Sequence, residues 1–243
     1  MKKIVLLFMS MLVLGSCAKR SFEIDTYSIN RMNYNTVQMD EELHSAEYLV
    51  VDISECNFLY AKDADAKMYP ASLTKLVTLD TVLNLSDDLY DYSYVSNQQV
   101  EDLIKEDASL AYIRRDYPYT LKDLLYALVL PSGADAAVAL ENYYTERNID
   151  LVTQMNLQME KLGGNNSHFI NTTGLHEDDH YSCLNDLYLV VMDILNYKEG
   201  REILNTITYT MEDGIILHTS AGIAYRDNDF TVLGGKTGYT PEA

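Results

Sequence analysis

Tyr69-Pro70-Ala71-Ser72-Leu73-Thr74-Lys75-Leu76-Val77-Thr78 is the stretch from which the fold can be read. Pro70 ends the extended segment before it, because proline disfavours helix at the preceding residue. Ser72 then caps or opens a helix whose Leu73, Leu76, Val77, Leu79, Val82 and Leu83 pack inward. At i and i+3, Ser72 and Lys75 lie on one face. The hydroxyl falls at the positive end of the helix dipole, with an amine one turn deeper. A serine and a lysine so placed are a candidate nucleophile and base. Taken alone the pair means little, since a chain of this length supplies about one by chance.

The totals bound the rest. A chain of 243 residues, 47 % hydrophobic, holds one sizeable core or one domain with a subdomain. A formal charge of −19 argues against a nucleic-acid partner, which selects a basic face. Of three cysteines, Cys56 and Cys183 read as free thiols. There is no C-x-x-C or H-E-x-x-H pattern and the five histidines are scattered, so no metal site is expected.

The chain opens with Lys2 and Lys3 before an apolar run from Ile4 to Leu14, too short for an ordinary membrane span. The run ends in Leu14-Gly15-Ser16-Cys17, which resembles a bacterial lipobox. That resemblance implies a signal peptide over residues 1–16, cleavage before Cys17, a lipid on its sulfur, and work outside the cytoplasm at a membrane. A plain secretory signal is the alternative. Polar residues to about 44 read as a tether. Glu47 to Asp52 and Asn57 to Lys62 read as a hairpin of strands, and residues 100–107 as a short helix. Thr120 caps a helix running to Leu130, Pro131 breaks it, and Ser132-Gly133 turns into a helix from Asp135 to Tyr144. Further helices run from Ile149 to Leu162, closed by Gly163, and from Leu184 to about Tyr197. Ile203 to Ile207 and Gly214 to Thr219 look strand-like. Phe230 to Thr240 reads as a strand carrying Gly-flanked Lys236-Thr237.

Three segments thus stand in order: Ser72 with Lys75, Ser132, and Lys236-Thr237-Gly238. A phosphate loop is excluded at the last, because the required glycine at 230 is Phe230. The set in this order marks penicillin-recognising serine enzymes. With their surroundings, Pro70-Ala71-Ser72-Leu73-Thr74-Lys75, Pro131-Ser132-Gly133-Ala134-Asp135-Ala136-Ala137, Gly174-Leu175 with His180-Tyr181-Ser182, and Gly235-Lys236-Thr237-Gly238-Tyr239-Thr240 resemble the low-molecular-weight D-alanyl-D-alanine carboxypeptidases. The resemblance runs from about Glu47 to the end. It implies an α+β fold of the β-lactamase/DD-peptidase type over residues 45–243, an antiparallel sheet flanked by helices plus an all-helical subdomain. It also implies a cofactor-free serine enzyme that trims the terminal D-alanine from peptidoglycan stem peptides and is acylated by β-lactams. Ser72 would be the nucleophile, Lys75 its base and Ser132 the proton relay. Lys236 and Thr237 would hold the substrate carboxylate, with Gly238 and Tyr239 beside it. The Ser72 and Tyr239 backbone N–H groups would form the oxyanion hole.

Two departures accompany the resemblance. Ala134 stands where the family usually has asparagine. The two strands and closing helix that follow Lys-Thr-Gly in the family are not written here, so the expectation is a fragment or truncated gene, with its end strand poorly packed or displaced. Two rivals remain: a non-catalytic cell-wall-binding lipoprotein, and a class A β-lactamase. The second needs a glutamate three residues before Leu184-Asn185, where Tyr181 stands.

Overall fold

Helix α1 (Thr74–Leu85) carries apolar residues on every side and buries Thr74, Lys75, Thr78, Asp80 and Thr81 along with them, so it runs through the centre of the core. Every residue from Thr74 to Leu83 is withdrawn from solvent. Around it pack α3 (Leu121–Val129), α5 (Leu151–Leu162) and α6 (Leu184–Ile194). The structure is a computed structural model that describes residues 5–7, 10–14, 45–54, 57–222 and 232–241, the first two segments by backbone only. Cys17, the tether to residue 44, Cys56, Phe230 and Thr231 lie outside the described residues. Cys183 is buried and unpaired by any disulfide.

Local signals set the helix ends. Thr120 accepts the Asp123 N–H at 3.0 Å, as its capping role requires. Asp150 does the same for Thr153 at 3.2 Å, and Gly163 closes α5 at φ +89. Helix α2 (Asn97–Lys105) starts earlier than expected because Ser96 and Gln99 form a capping box. Helix α4 (Ala134–Thr145) follows the Pro131 break and packs on α3. Two short pairs complete this side, β5 (Tyr92–Ser93) with β6 (Tyr119–Thr120) and β7 (Thr208–Thr210) with β8 (Ile216–His218).

One strand-like expectation fails. Residues 203–205 belong to helix α7 (Lys198–Asn205), whose Gly200, Ile203 and Leu204 are its buried face. These stand at i, i+3 and i+4, a helical period that a five-residue window hides. Ser72 also does not cap a helix by its side chain. It sits in a 3-10 turn (Ala71–Leu73) that precedes α1.

The main sheet is antiparallel throughout and runs from β4 (Asn57–Lys62) through β3 (Tyr48–Asp52), β1 (Val5–Leu7) and β2 (Ser10–Leu14) to β9 (Val232–Thr237). Strands β3 and β4 are the expected hairpin, with α6 against β3 and α7 against β9. Strand β9 is neither displaced nor without a sheet, which corrects the expectation for the end of the chain. It pairs with β2, Met11 opposite Lys236, and β1 bridges β2 to β3. The apolar run read as a leader thus fills both places between β3 and β9. A run of Val, Leu and Met has strand propensity, and two facing edges of unpaired N–H and C=O groups template it.

Two glycines separate close approach from backbone conformation. Gly174 has φ +80, and a Cβ there would stand 1.9 Å from the Ala71 carbonyl oxygen. Gly214 has φ +89 with nothing within 4 Å. In denaturant unfolding, Gly214→Ala should cost about 1 kcal/mol for its backbone alone. Gly174→Ala should cost roughly twice that or more, because the backbone of the Ser72 turn must also move.

Candidate active site

The turn that carries Ser72 is held from three sides. Leu73 N–H donates to the Pro70 carbonyl at 2.9 Å, the first bond of the turn, so the Ser72 N–H is an orphan donor of a helix start. On the second side, Gly238 lies so close that a Cβ would come within 3.0 Å of the Pro70 oxygen and 3.2 Å of the Leu73 nitrogen. On the third lies the segment 170–175. The His180 Nδ1 accepts the Ile170 N–H at 3.2 Å, which leaves the proton on Nε2 to donate to Thr74 Oγ1 at 2.7 Å. Burial, then the nearby His168 and His176, lower the His180 pKa to about 4, so this tautomer persists across the neutral range.

Lys75 is fully enclosed by this arrangement. Its Nζ donates to Ser72 Oγ at 3.0 Å and to the Thr173 carbonyl. Burial lowers its pKa to about 7, with the Asp135 carboxylate acting in the opposite direction. A buried ammonium loses its hydration, and the neutral amine is the form a base requires.

The second serine–lysine contact mirrors the first. Ser132, at the corner between α3 and α4, accepts from Lys236 Nζ at 2.8 Å, and that amine also donates to the Thr237 carbonyl at 2.6 Å. Burial, then the charge of Lys75, push the Lys236 pKa well below its ordinary value. Ser132 has φ +67 and Ala71 φ +46, left-handed backbone at the second serine and at the residue before Ser72. Strain of this kind, at about 1–3 kcal/mol each, persists where surrounding structure holds it, and it concentrates at reactive sites.

A cleft of about 370 Å³ opens onto Ser72, Lys75, Ala134, Thr173 and Tyr239, with Glu106 to Ser109 along one wall. Tyr239 is 82 % exposed at its mouth. Ser132 and Lys236 lie just behind the lining, at 6 % and 1 % exposure. Thr237 Oγ1 meets Ser220 Oγ at 3.0 Å. All six side chains expected at the site therefore come together with Gly238, but Lys236 points at Ser132 rather than outward. The sequence reading missed the Thr173 carbonyl and the 106–109 wall. A backbone acceptor carries no residue-type signal, and the wall is irregular.

Two buried amines make the site costly for the fold. Lys75→Met should raise stability by about 1–3 kcal/mol at pH 6. The Lys75 pKa is lower folded than unfolded, so the unfolded chain holds more protons between about pH 7 and the free-lysine value. The wild type gains stability as pH rises through that window, and the advantage of the mutant should shrink from pH 7 upward. Denaturant midpoints of both proteins at pH 6 and pH 9 measure it.

The chain is similar to several known proteins. The sequence is 28 % identical over 217 residues to D-alanyl-D-alanine carboxypeptidase DacF of Bacillus subtilis, covering 86 % of this chain and 54 % of that protein. It is 27 % identical over 247 residues to DacA of Escherichia coli, covering 90 % and 55 %. The chain spans about half the length of the curated relatives it matches. A mutant DD-transpeptidase of Streptomyces superposes with a TM-score of 0.74 at 26 % identity, over 84 % of each chain. A penicillin-binding protein of Listeria monocytogenes, solved in its ampicillin-bound form, superposes at 0.72 and 27 % identity, over 85 % of this chain and 83 % of that one. Residues 33–243 match the family described as D-alanyl-D-alanine carboxypeptidase. With Ser72 and Lys75 in contact, Ser132 and Lys236 in contact, and the fold of these enzymes around them, the chain belongs to the D-alanyl-D-alanine carboxypeptidase family.

Proposed function

We propose that the protein is a serine D-Ala-D-Ala carboxypeptidase acting on peptidoglycan stem peptides. The observation that carries this is the enclosed Lys75 amine, 3.0 Å from Ser72 Oγ and lowered to about pKa 7. Neutral Lys75 takes the Ser72 proton as Oγ adds to the carbonyl carbon between the two D-alanines. The oxyanion that forms is met by the orphan Ser72 N–H and by the Tyr239 N–H, donors worth about 3 kcal/mol each in the transition state. The C–N bond then breaks as Ser132 gives its hydroxyl proton to the departing D-alanine nitrogen, and the proton that Lys75 took from Ser72 replaces it on Ser132. Water adds to the acyl-enzyme by the same route and restores Ser72. Lys236, with Thr237, receives the terminal carboxylate by turning from the Thr237 carbonyl toward the cleft, a charge-assisted contact that selects a chain end. An arriving carboxylate also favours the protonated form of that amine.

The same end-group chemistry makes a β-lactam a substrate mimic that acylates Ser72. The β-lactamase alternative lacks its carboxylate: Tyr181 occupies that place and pairs by backbone with His168. Ala134 removes one amide from the cleft but none of the groups that move protons. For location, the Leu14-Gly15-Ser16-Cys17 pattern supports a lipid on Cys17, an anchor in the cytoplasmic membrane and work outside the cytoplasm, on the peptidoglycan side; cleavage before Cys17 would take β1 and β2 out of the sheet and leave their place between β3 and β9 to another segment. Mass of the protein isolated from its cell tests that part: a diacylglycerol-sized increment on a chain beginning at Cys17 supports it, and an unmodified Met1 start sinks it.

Incubation with a penicillin followed by intact-mass measurement tests the chemistry. One covalent adduct is expected on the wild type and none on Ser72→Ala; a folded wild type without an adduct refutes the reading. The acylation rate should rise with pH to a plateau, with its midpoint near pH 7, falling roughly tenfold per unit on the acid side where Lys75 is protonated. A rate independent of pH between 5.5 and 8.5 would mean that Lys75 is not the base.

A further inference from the structure

Asp135 is a charged side chain to which the mechanism gives no role. It opens α4, is 1 % exposed, and lies three residues past Ser132. Its Oδ1 accepts the Ala111 N–H at 2.8 Å and the Ala136 N–H at 3.0 Å. Its Oδ2 accepts the Ile113 N–H at 3.1 Å. Both oxygens are thus occupied by donors at the positive end of a helix; burial, the larger effect, raises the Asp135 pKa above the ordinary carboxylate value, and these N–H donors act against it in favour of the carboxylate.

These bonds reach the cleft. Ala111 and Ile113 flank Tyr112, a residue at φ +58 with 80 % exposure, so the carboxylate clamps both sides of a left-handed residue. The segment just before it, Glu106 to Ser109, is the cleft wall, and Ser109 is tied to the same corner by the Ala134 N–H at 2.8 Å. A Cβ on Gly133 would stand 2.7 Å from Asp135 Oδ1, so the turn that presents Ser132 is seated directly on this carboxylate.

The charge matters as much as the bonds. Around the Lys75 amine, β9 contributes the cation Lys236 and α4 contributes Asp135. Glu106, Asp107 and His176 stand at the open cleft mouth, and Glu141 farther along α4 is engaged by Thr172 Oγ1 at 3.0 Å. Asp135 is the anion whose field raises the Lys75 affinity for a proton against the effect of burial.

We propose that Asp135 is a positioning residue for acyl transfer, its buried carboxylate fixing the Ala111–Ile113 wall beside the Ser132 corner and setting the charge balance in which Lys75 works as a base. The proposal rests on the acyl-transfer reading above. The test is the pH profile of acylation by a fluorescent penicillin, on the full chain, for wild type and Asp135→Asn. The amide keeps the oxygen for Ala111 and Ala136, loses the charge, and turns a donor toward the Ile113 N–H. Removing the anion should move the midpoint of the rising limb to lower pH by about half a unit or more. It should also lower the plateau roughly tenfold, because Lys75 becomes a weaker base in a looser cleft. Asp135→Ser is the second neutral variant, smaller and still able to accept one N–H. A lower rate at every pH with an unmoved midpoint overturns the proposal and makes Asp135 a purely structural residue. Failure of both neutral variants to fold overturns it in the same way. The absence of any adduct on the wild type removes instead the reading beneath it, so the two failures are distinct.

Discussion

Two lysine amines share one site that water barely enters, and the rest of the structure depends on how they are held. Each is given one serine hydroxyl and one backbone carbonyl: Ser72 and Thr173 for Lys75, Ser132 and Thr237 for Lys236. Desolvation of an ammonium is expensive, and a like charge nearby adds to the cost. That cost is what turns lysine from a permanent cation into a base. A Lys75 on an exposed helix would keep its ordinary pKa and be useless beside a serine. The burial of α1 is therefore a condition of the proposed chemistry as well as the centre of the core.

The parts of this arrangement that follow from short-range rules were legible in the sequence. Ser72 and Lys75 are three residues apart, so any helical turn brings them together. Thr120, Asp150 and Gly163 end helices for reasons each carries in its own side chain or in the lack of one. Order along the chain then linked Ser72, Ser132 and Lys236; in the structure Ser72 contacts Lys75, Ser132 contacts Lys236, and the two pairs act on each other through the charges of their amines. What stayed hidden depends on long-range contact. The Thr173 carbonyl is common to every residue type. The Asp135 clamp needs a loop more than twenty positions upstream. Helix α7 was misread because its apolar residues are few and its buried face is defined by the sheet beneath it.

The apolar run near the start of the chain shows how one pattern serves two readings. Lys2, Lys3 and Cys17 at its flanks make it a leader in sequence terms. Its backbone in the structure satisfies the facing edges of β3 and β9. Neighbouring strands lie about 4.8 Å apart, so these edges stand roughly 14 Å from each other with two strands between them. Any segment that occupies this place needs only a hairpin of apolar, strand-forming residues, and the requirement is for backbone groups more than for particular side chains.

Strand β9 carries Lys236 and comes late in the sequence, whereas the Ser72 turn comes early. Contacts so far apart along a chain are slow to form, because loop closure must be paid for before they reward it. A growing or partly folded chain can have α1 and its serine–lysine spacing while its amines are still hydrated and fully protonated. In that state the serine has no base and the chain is chemically silent. On the proposed chemistry the site is complete only once β9 meets the Ser72 turn, so acylation of Ser72 would report that these two distant segments have met.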